Sequence, residues 1–214
     1  MRFYSNLRRK WTICVLSLIA LAGFSQSAQA QMNGTNYTID KNGAATATNF
    51  KSFASAVQAL RGVARSDGGP GLGGGVSGPV TITVTQGTGP YTEQVVIPAI
   101  TGTSSTNRVT IDGNGETVQF SGTSTSNMFT WRMNGADYFT VKNLTIKTLS
   151  ASYGWGMMFD NSSDYNIVED CKVDVSSVTS TTANYSVGIT FTGSTTGHYG
   201  STAYSGGSKG IGNI

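Results

Sequence analysis

The sequence predicts an all-β fold in which short strands wind into a parallel coil, a β-helix, and three observations support it. Residues 137–146 align with residues 164–173 at a shift of 27 positions, each copy opening with an Asp-Tyr pair. Short flanking segments alternate apolar and polar residues, which is typical of half-buried strands. The connections are too short for the helical crossovers that parallel strands in a flat sheet require. A unit this small buries its apolar face only by stacking on its neighbours.

An antiparallel β-sandwich is the alternative, because it also combines alternating strands with short turns. Sandwich strands have no reason to repeat their sequence, so the 27-residue match favours the coil. We expect strands at residues 80–84, 94–97, 108–112, 117–120, 128–131 and 186–191, besides those of the repeat. Residues 80–214 would then form about five coils of about 27 residues each.

The first 30 residues have the features of a secretory signal peptide. A basic start (Arg2, Arg8, Arg9 and Lys10) precedes an apolar run at residues 11–24 and an Ala-Gln-Ala site at residues 28–30. The apolar run is shorter than the roughly 20 residues of a membrane span. Arg8-Arg9 also fits a twin-arginine signal. We therefore expect a secreted or cell-surface protein that begins near Gln31 and has no membrane span.

Charge and cysteine content exclude some functions. The whole chain has 14 basic and 11 acidic residues, but four basic residues lie in the signal, so the mature chain is close to neutral. This composition offers no basic surface for nucleic acid. Cys171 is the one cysteine after the signal, which precludes an intrachain disulfide. Its place in a strand favours a buried small apolar residue over the alternative, a reactive thiol.

Residues 31–65 are predicted to form a strand and a capping helix. Residues 36–40 alternate and stop at Asn42-Gly43, a strong turn signal. Thr48 or Asn49 offers an N-cap, followed at helical spacing by Phe50, Phe53, Val57, Leu60 and Ala64. Such a helix would cover the otherwise open first layer of the coil. Residues 66–79 follow as a Gly-rich loop.

The remaining chain, residues 80–214, is predicted to consist of coils. Asn143 and Asp170 occupy equivalent places in the repeat, where an Asn or Asp can adopt a left-handed backbone conformation, so a structural role is expected. Residues 210–214 resemble the start of another strand. We therefore expect the last coil to be incomplete and the chain to be a fragment of a longer protein.

Aromatic and acidic residues outside the inward alternation are the candidate binding residues. Flat rings on a polar wall can stack on sugar rings, and neighbouring carboxylates can bind hydroxyl groups. The candidates are Tyr138, Trp155, Tyr165, Asp160 and Asp164. Corner packing would explain half of these rings equally well. Outward threonines also raise an ice-binding hypothesis, which is weak because no two-threonine motif recurs at each coil.

Catalytic and metal sites are poorly supported by the sequence. An acidic cluster between Asp160 and Asp174 could hydrolyse a glycosidic bond or bind Ca²⁺, yet repeat geometry already explains Asp164 and Asp170. Residues 112–116 begin like a calcium loop but lack its further ligands, and a tight turn accounts for them better. His198 has no convincing partner for acid or base chemistry. We expect no catalytic site, metal or cofactor in these residues.

Several segments resemble the amino-terminal region of large secreted surface proteins of Bacteroidetes-type bacteria. They are residues 37–41, 48–53, 77–81, 89–95 and 107–113. Those proteins resemble pectin lyase-like right-handed parallel β-helices, which implies the same fold here. The polygalacturonase motifs of that fold are absent, apart from Gly197-His198-Tyr199, which departs from Gly-His-Gly. Arg132 has no acidic set around it of the kind that a pectate lyase needs.

Two functional hypotheses remain open after the sequence. The first is a structural, adhesive or glycan-binding module with polysaccharides or cell-surface glycans as partners. The second is a polysaccharide lyase or glycoside hydrolase. The sequence leaves the oligomeric state undetermined.

Overall fold

A computed structural model describes residues 30–182 and 185–192, and this part of the chain is a parallel β-solenoid. The predicted signal peptide, except Ala30, and His198 lie outside the described residues. The helix is α1 (Phe53–Arg61). The strands are β1 (Met32–Ile39), β2 (Asn49–Phe50), β3 (Val76–Val84), β4 (Tyr91–Thr92), β5 (Val95–Pro98), β6 (Val109–Asp112), β7 (Thr117–Phe120), β8 (Phe129–Asn134), β9 (Phe139–Lys142), β10 (Thr145–Thr148), β11 (Gly154–Asp160), β12 (Ile167–Glu169), β13 (Lys172–Asp174) and β14 (Ser186–Phe191).

The strands form three sheets in which every described pair is parallel. Sheet 1 has the order β12-β9-β6-β3-β1-β2, sheet 2 the order β13-β10-β7-β4, and sheet 3 the order β14-β11-β8-β5. Each turn of the chain adds one strand to each sheet. The described residues therefore contain coils 1 to 4, made of β3–β5, β6–β8, β9–β11 and β12–β14. This arrangement confirms the coil and excludes the antiparallel sandwich.

The strand register confirms the repeat that the sequence predicted. Val141 pairs with Val168 in sheet 1 and Ile146 with Val173 in sheet 2, both at a spacing of 27. Between coils 2 and 3, Val109 pairs with Phe139 instead, at a spacing of 30. The turn length is therefore uneven, which is why the sequence match is visible between coils 3 and 4 but not between coils 2 and 3.

Apolar side chains from all three sheets fill the interior of the coil. Sheet 1 contributes Ile82, Ile111 and Val141, all buried, and sheet 3 contributes the larger Trp131 and Met157. Parallel strands stack equivalent positions on each other, so these side chains form continuous columns along the axis. The columns supply most of the apolar burial that holds successive coils together.

Helix α1 packs on coil 1, where the sequence placed a capping helix. The Phe53 ring contacts the rings of Tyr91 and Trp131 edge-on, with centroids 5.3 and 5.5 Å apart. The Glu93 carboxylate accepts the N–H groups of Phe53 and Ala54 at 3.0 and 2.8 Å. A negative group is favourable there because it meets the unpaired N–H groups of the first helical turn.

The predicted N-cap was wrong by one turn. Ser52 is the N-cap, and its hydroxyl accepts the Ser55 N–H at 3.0 Å. Asn49 instead belongs to β2, and its side-chain amide donates to the carbonyls of Asp40 and Ala44. Gly62, with a left-handed φ of 68°, ends the helix earlier than predicted.

The Gly-rich loop is anchored by a buried ion pair at its start. The Arg65 guanidinium donates to the Asp67 carboxylate at 2.6 Å and to the Asn49 carbonyl at 2.7 Å, and both charged side chains are almost fully buried. Within the described ranges, no helix is long and apolar enough to cross a membrane.

Candidate functional site

Two Asp-Tyr pairs stack on each other where coils 3 and 4 enter sheet 1. We call Asp137, Tyr138, Asp164 and Tyr165 the tyrosine corner. The rings of Tyr138 and Tyr165 are nearly parallel, with an interplanar angle of 9° and centroids 5.0 Å apart. The Tyr138 N–H donates to the Asp164 carbonyl at 3.1 Å. The sequence repeat therefore produces a ladder of aromatic and acidic side chains along the axis.

Both tyrosines have a backbone conformation that is unfavourable for a bulky residue. Tyr138 has φ 60° and Tyr165 has φ 56°, in the left-handed region that Gly, Asn and Asp tolerate best. Each such residue costs about 1–2 kcal/mol, and the stacked ring pair offsets only about 0.5–1.5 kcal/mol. Backbone strain of this kind is concentrated at functional sites, so the corner is a candidate site.

Buried polar side chains beneath the corner fix its backbone. The Asn166 side chain accepts the Phe139 N–H at 3.0 Å and donates to the Ala136 carbonyl at 2.8 Å. The Ser163 hydroxyl accepts the Gly135 and Ala136 N–H groups at 2.9 and 3.2 Å. These bonds join coil 3 to coil 4 through the buried side chains of Ser163 and Asn166, where an unpaired polar group is expensive. The strained tyrosines are therefore held on a rigid support.

Arg108 extends the aromatic ladder into coil 2. It directly precedes Val109, which pairs with Phe139, so Arg108 and Tyr138 occupy equivalent places. Its guanidinium carbon lies 5.8 Å from the centroid of the Tyr138 ring. Its Nη1 donates to the carbonyls of Phe139 and Tyr165 at 3.0 and 2.9 Å. The Arg108 guanidinium thus binds two backbone carbonyls and packs on the Tyr138 ring.

The two aspartates of the corner are close enough to interact. The Asp164 N–H donates to Oδ1 of Asp137 at 2.7 Å. Burial raises the pKa of Asp137, and the Asp164 charge raises it further, while that N–H opposes the shift. Both side chains are half-buried, so they keep partial contact with solvent.

The exposed part of the corner is mainly Tyr165. Tyr138 is half-buried between Arg108 and Tyr165, whereas Tyr165 is 43% exposed. One face of the Tyr165 ring is covered by Tyr138. Among the described residues of the corner, Tyr165 therefore provides most of the solvent-exposed surface.

Trp155 lies elsewhere, and the expectation that its ring is exposed was wrong. Trp155 is 0% exposed in β11, where it packs with Met128, Phe129 and Met158. The sequence did not reveal this strand, because Gly154, Gly156 and an unbroken apolar run replace the alternation. Such continuous apolar runs are typical of strands buried on both faces.

Asp160 is also buried, at 4% exposure, and it is paired with Arg132. The Arg132 Nε lies 3.1 Å from both carboxylate oxygens, and its Nη2 donates to Oδ2. A buried, doubly bonded carboxylate is an ion-pair partner for the neighbouring strand and a poor ligand for a sugar. Of the five candidates, Tyr138, Tyr165 and Asp164 therefore come together, and Trp155 and Asp160 do not.

The rest of the predicted acidic cluster is dispersed. Asp170 has a φ of 52° like its counterpart Asn143, which confirms their predicted left-handed conformation. Asp174 binds the Ser176 hydroxyl and N–H, and these bonds lower its pKa. Among the residues that the structure describes, no group of His, Cys, Asp and Glu side chains is arranged to hold a metal ion.

Cys171 and the turn at residues 112–116 have structural surroundings. Cys171 lies just before β13 and not in a strand, and it is half-buried against the core, which is less burial than predicted; this burial raises the pKa of its thiol. Asn114 in the turn has a left-handed φ of 50°, and its N–H donates to the Asp112 side chain at 3.0 Å. A tight turn therefore accounts for these residues.

Arg108, Ser163 and Asn166 were missed by the sequence analysis. A signal for two of them is present in the repeat, where Ser163 replaces Ala136 and Asn166 replaces Phe139. A polar residue at an inward position of one copy indicates a buried hydrogen bond. Arg108 lies outside the two aligned copies of the repeat, so the repeat gives no signal for it.

Comparisons of the chain with protein families, with curated proteins and with solved structures found no match. The assignment of the fold therefore depends on the strand pairing itself.

Proposed function

We propose that this chain is a secreted or cell-surface β-solenoid module that binds glycans through the tyrosine corner. The observation that carries the proposal is the 43% exposed ring of Tyr165, held in a strained conformation on a rigid support. An exposed ring offers an apolar face to the C–H groups of a sugar, and its hydroxyl offers a polar edge. The half-buried Asp164 beside it can accept hydrogen bonds from sugar hydroxyl groups.

The proposed location outside the cell depends on the signal-like residues 1–30. The low charge of the mature chain and its rigid stacked coils suit a surface module that displays polar walls to glycans or neighbouring cells. The segments quoted above further support a place among the pectin lyase-like β-helices of Bacteroidetes-type surface proteins.

The test is a glycan-binding measurement on the secreted chain with three variants. Tyr165→Asn removes the ring but keeps a residue that tolerates the left-handed conformation, so the fold should persist. We expect binding to fall at least tenfold in Tyr165→Asn, and less in Tyr138→Asn, because Tyr138 supports the exposed ring from behind. Tyr37→Phe, on distant β1, is the control and should bind normally. Equal binding by Tyr165→Asn and the unmodified chain would refute this site.

A polysaccharide lyase or hydrolase is the second candidate, and one observation favours it. Burial raises the pKa of Asp137, whose carboxylate accepts the Asp164 N–H, and glycoside hydrolases use a pair of carboxyl groups of which one has a raised pKa. Incubation with neutral and acidic polysaccharides would release new reducing ends or unsaturated uronates. Asp137→Asn should abolish such activity, whereas Asp174→Asn should not.

A further inference from the structure

The last strand of each sheet forms one end of the solenoid, which we call the open end. β12, β13 and β14 are the terminal strands of sheets 1, 2 and 3, and among the described residues no strand pairs with their outer edges. The interior of coil 4 reaches the surface here, where Ile189 is 47% exposed and lines a cavity together with Val168, Cys171 and Val173. Strand edges beside apolar side chains form a surface that another chain can join.

The opposite end of the solenoid is covered by helix α1 and β2. β2 pairs with β1 in sheet 1, and the Phe53 ring of α1 packs edge-on against Tyr91 of coil 1. Stacking of the open end on coil 1 of a second copy is therefore blocked, and with it a head-to-tail filament. Two copies that join through this surface do so open end to open end, in a closed dimer.

The backbone of β13 directs hydrogen-bonding groups toward the open end at the centre of the strand. The Lys172 N–H donates to the Leu144 carbonyl of coil 3 at 3.0 Å. In a parallel ladder the groups of alternate residues point to opposite sides, so the N–H and C=O of Val173 point to the open end. The turn after β13 stays in the layer of coil 4, because the Thr179 N–H donates to the Ala151 carbonyl of coil 3 at 2.9 Å.

The charges of β13 are complementary to those of a second β13. The strand consists of Lys172, Val173 and Asp174. Val173 packs against the core, so its two neighbours point to the outer face of the sheet. Antiparallel pairing of two copies about Val173 lets the two valines exchange both backbone hydrogen bonds. It also places each Lys172 opposite Asp174 of the other copy, and oppositely charged cross-strand pairs are favourable.

We propose that this chain forms a closed dimer in which the open ends of two copies meet and the two β13 strands pair antiparallel about Val173. The two-fold axis through this pair interchanges sheets 1 and 3. Ile189 in sheet 3 of one copy therefore lies over sheet 1 of the other and is removed from solvent. The dimer does not depend on the glycan-binding function proposed above.

Sedimentation equilibrium of the mature chain over a range of concentrations tests the dimer, and the unmodified chain should reach twice the mass of one copy. Lys172→Asp and Asp174→Lys each place two pairs of like charges across β13, so each should raise the dissociation constant of the dimer at least about tenfold. Lys51→Asp makes the same change of charge at an exposed residue of the covered end and should leave the dimer intact. Circular dichroism checks that each variant is folded.

Combining the two reversals tests the antiparallel pairing itself. In the double variant Lys172→Asp/Asp174→Lys, opposite charges face each other again, so the dimer should return. A mixture of the two single variants should form a mixed dimer, because one supplies only negative and the other only positive charges at β13. Single variants that dimerise normally, no recovery in the double variant, or dissociation in Lys51→Asp would overturn the inference. A monomer at every concentration would also overturn it, and would leave a further part of the chain or another protein to cover the open end.

Discussion

Two corners of this solenoid use the same backbone conformation with different residues. The tyrosine corner lies before sheet 1. The asparagine corner, which we define by Asp112, Asn143 and Asp170, lies after it. Asn143 and Asp170 have φ 52°, close to the values of Tyr138 and Tyr165. An Asn or Asp adopts this conformation at little cost, whereas a tyrosine does not. The left-handed conformation of the asparagine corner is therefore explained by the turn alone. The strained tyrosines of the tyrosine corner require a functional explanation as well.

The two corners also differ in what supports them. Beneath the tyrosine corner, Ser163 and Asn166 are buried and bonded across coils. At the asparagine corner, Asn143 donates to the partly exposed Asp112 carboxylate at 3.0 Å, and Lys142 lies 3.4 Å from the same carboxylate. A rigid buried support under a strained exposed ring is the arrangement of a binding surface. A solvated network at a turn has only a structural role, which is to stabilise the coil.

The largest expected contrast is in the stability that each support provides. Asn166→Ala leaves the Phe139 N–H and the Ala136 carbonyl buried without partners, which should cost about 2–4 kcal/mol. Asp112→Ala removes bonds that water can replace, and should cost below about 1 kcal/mol. Chemical denaturation measures both variants. Equal losses would show that the tyrosine corner has no special support.

A second contrast concerns the strained backbone itself. Asn143→Ala forces an alanine into the left-handed region and should lower the free energy of unfolding by about 1–2 kcal/mol. Tyr165→Asn relieves similar strain but loses the ring pair, so its stability should change by less than about 0.5 kcal/mol. Asn143→Gly loses the same hydrogen bond without the strain, so the difference in stability between the glycine and alanine variants measures the strain alone. A large loss in Tyr165→Asn would mean that the ring is structural.

Removing the cation of each corner should give a smaller difference in stability. Arg108→Met removes the contact with the Tyr138 ring and the bonds to two carbonyls, and should cost about 1 kcal/mol. Lys142→Met removes a long, partly exposed ion pair and should cost less than about 0.5 kcal/mol. Thermal unfolding of the two variants at equal ionic strength measures both losses of stability. A larger loss in Lys142→Met would contradict the assigned roles.

Much of this comparison was predictable from the repeat. Matching Asp137-Tyr138 with Asp164-Tyr165 fixed the pairing of Val141 with Val168 and placed both tyrosines in one column. It also placed Asn143 and Asp170 together in the left-handed region. Local identity at a constant spacing is sufficient for these features, because parallel coils stack equivalent positions.

The predictions that were wrong concern contacts that the repeat does not contain. Strand β11 does not alternate, so Trp155 was assigned to an exposed wall although it is buried. The Arg132–Asp160 pair joins residues two positions out of register on neighbouring strands, because Arg132 pairs with Met158. Side-chain reach across strands decides such a contact, and spacing in one sequence does not reveal it.

The pH dependence of stability should have opposite signs at the two corners. Burial, reinforced by the Asp164 charge, raises the pKa of Asp137 above its ordinary 3.8. The folded state therefore binds this proton more tightly, and the stabilising contribution, present below 3.8, is lost as the pH rises through the raised pKa. At Asp112, burial opposes the shift, but bonds from Asn143 and Asn114 and the Lys142 charge lower the pKa. Its contribution is present above 3.8 and lost as the pH falls through the lowered pKa.

Denaturation of Asp137→Asn and Asp112→Asn between about pH 2.5 and 6.5 measures the two contributions separately, because asparagine carries no titrating proton. The stability of the unmodified chain relative to Asp137→Asn should fall as the pH rises. Relative to Asp112→Asn it should increase over the same range. Two slopes of the same sign would mean that the carboxylates are in equivalent environments, and the contrast between a crowded acidic corner and a neutralised one would not hold.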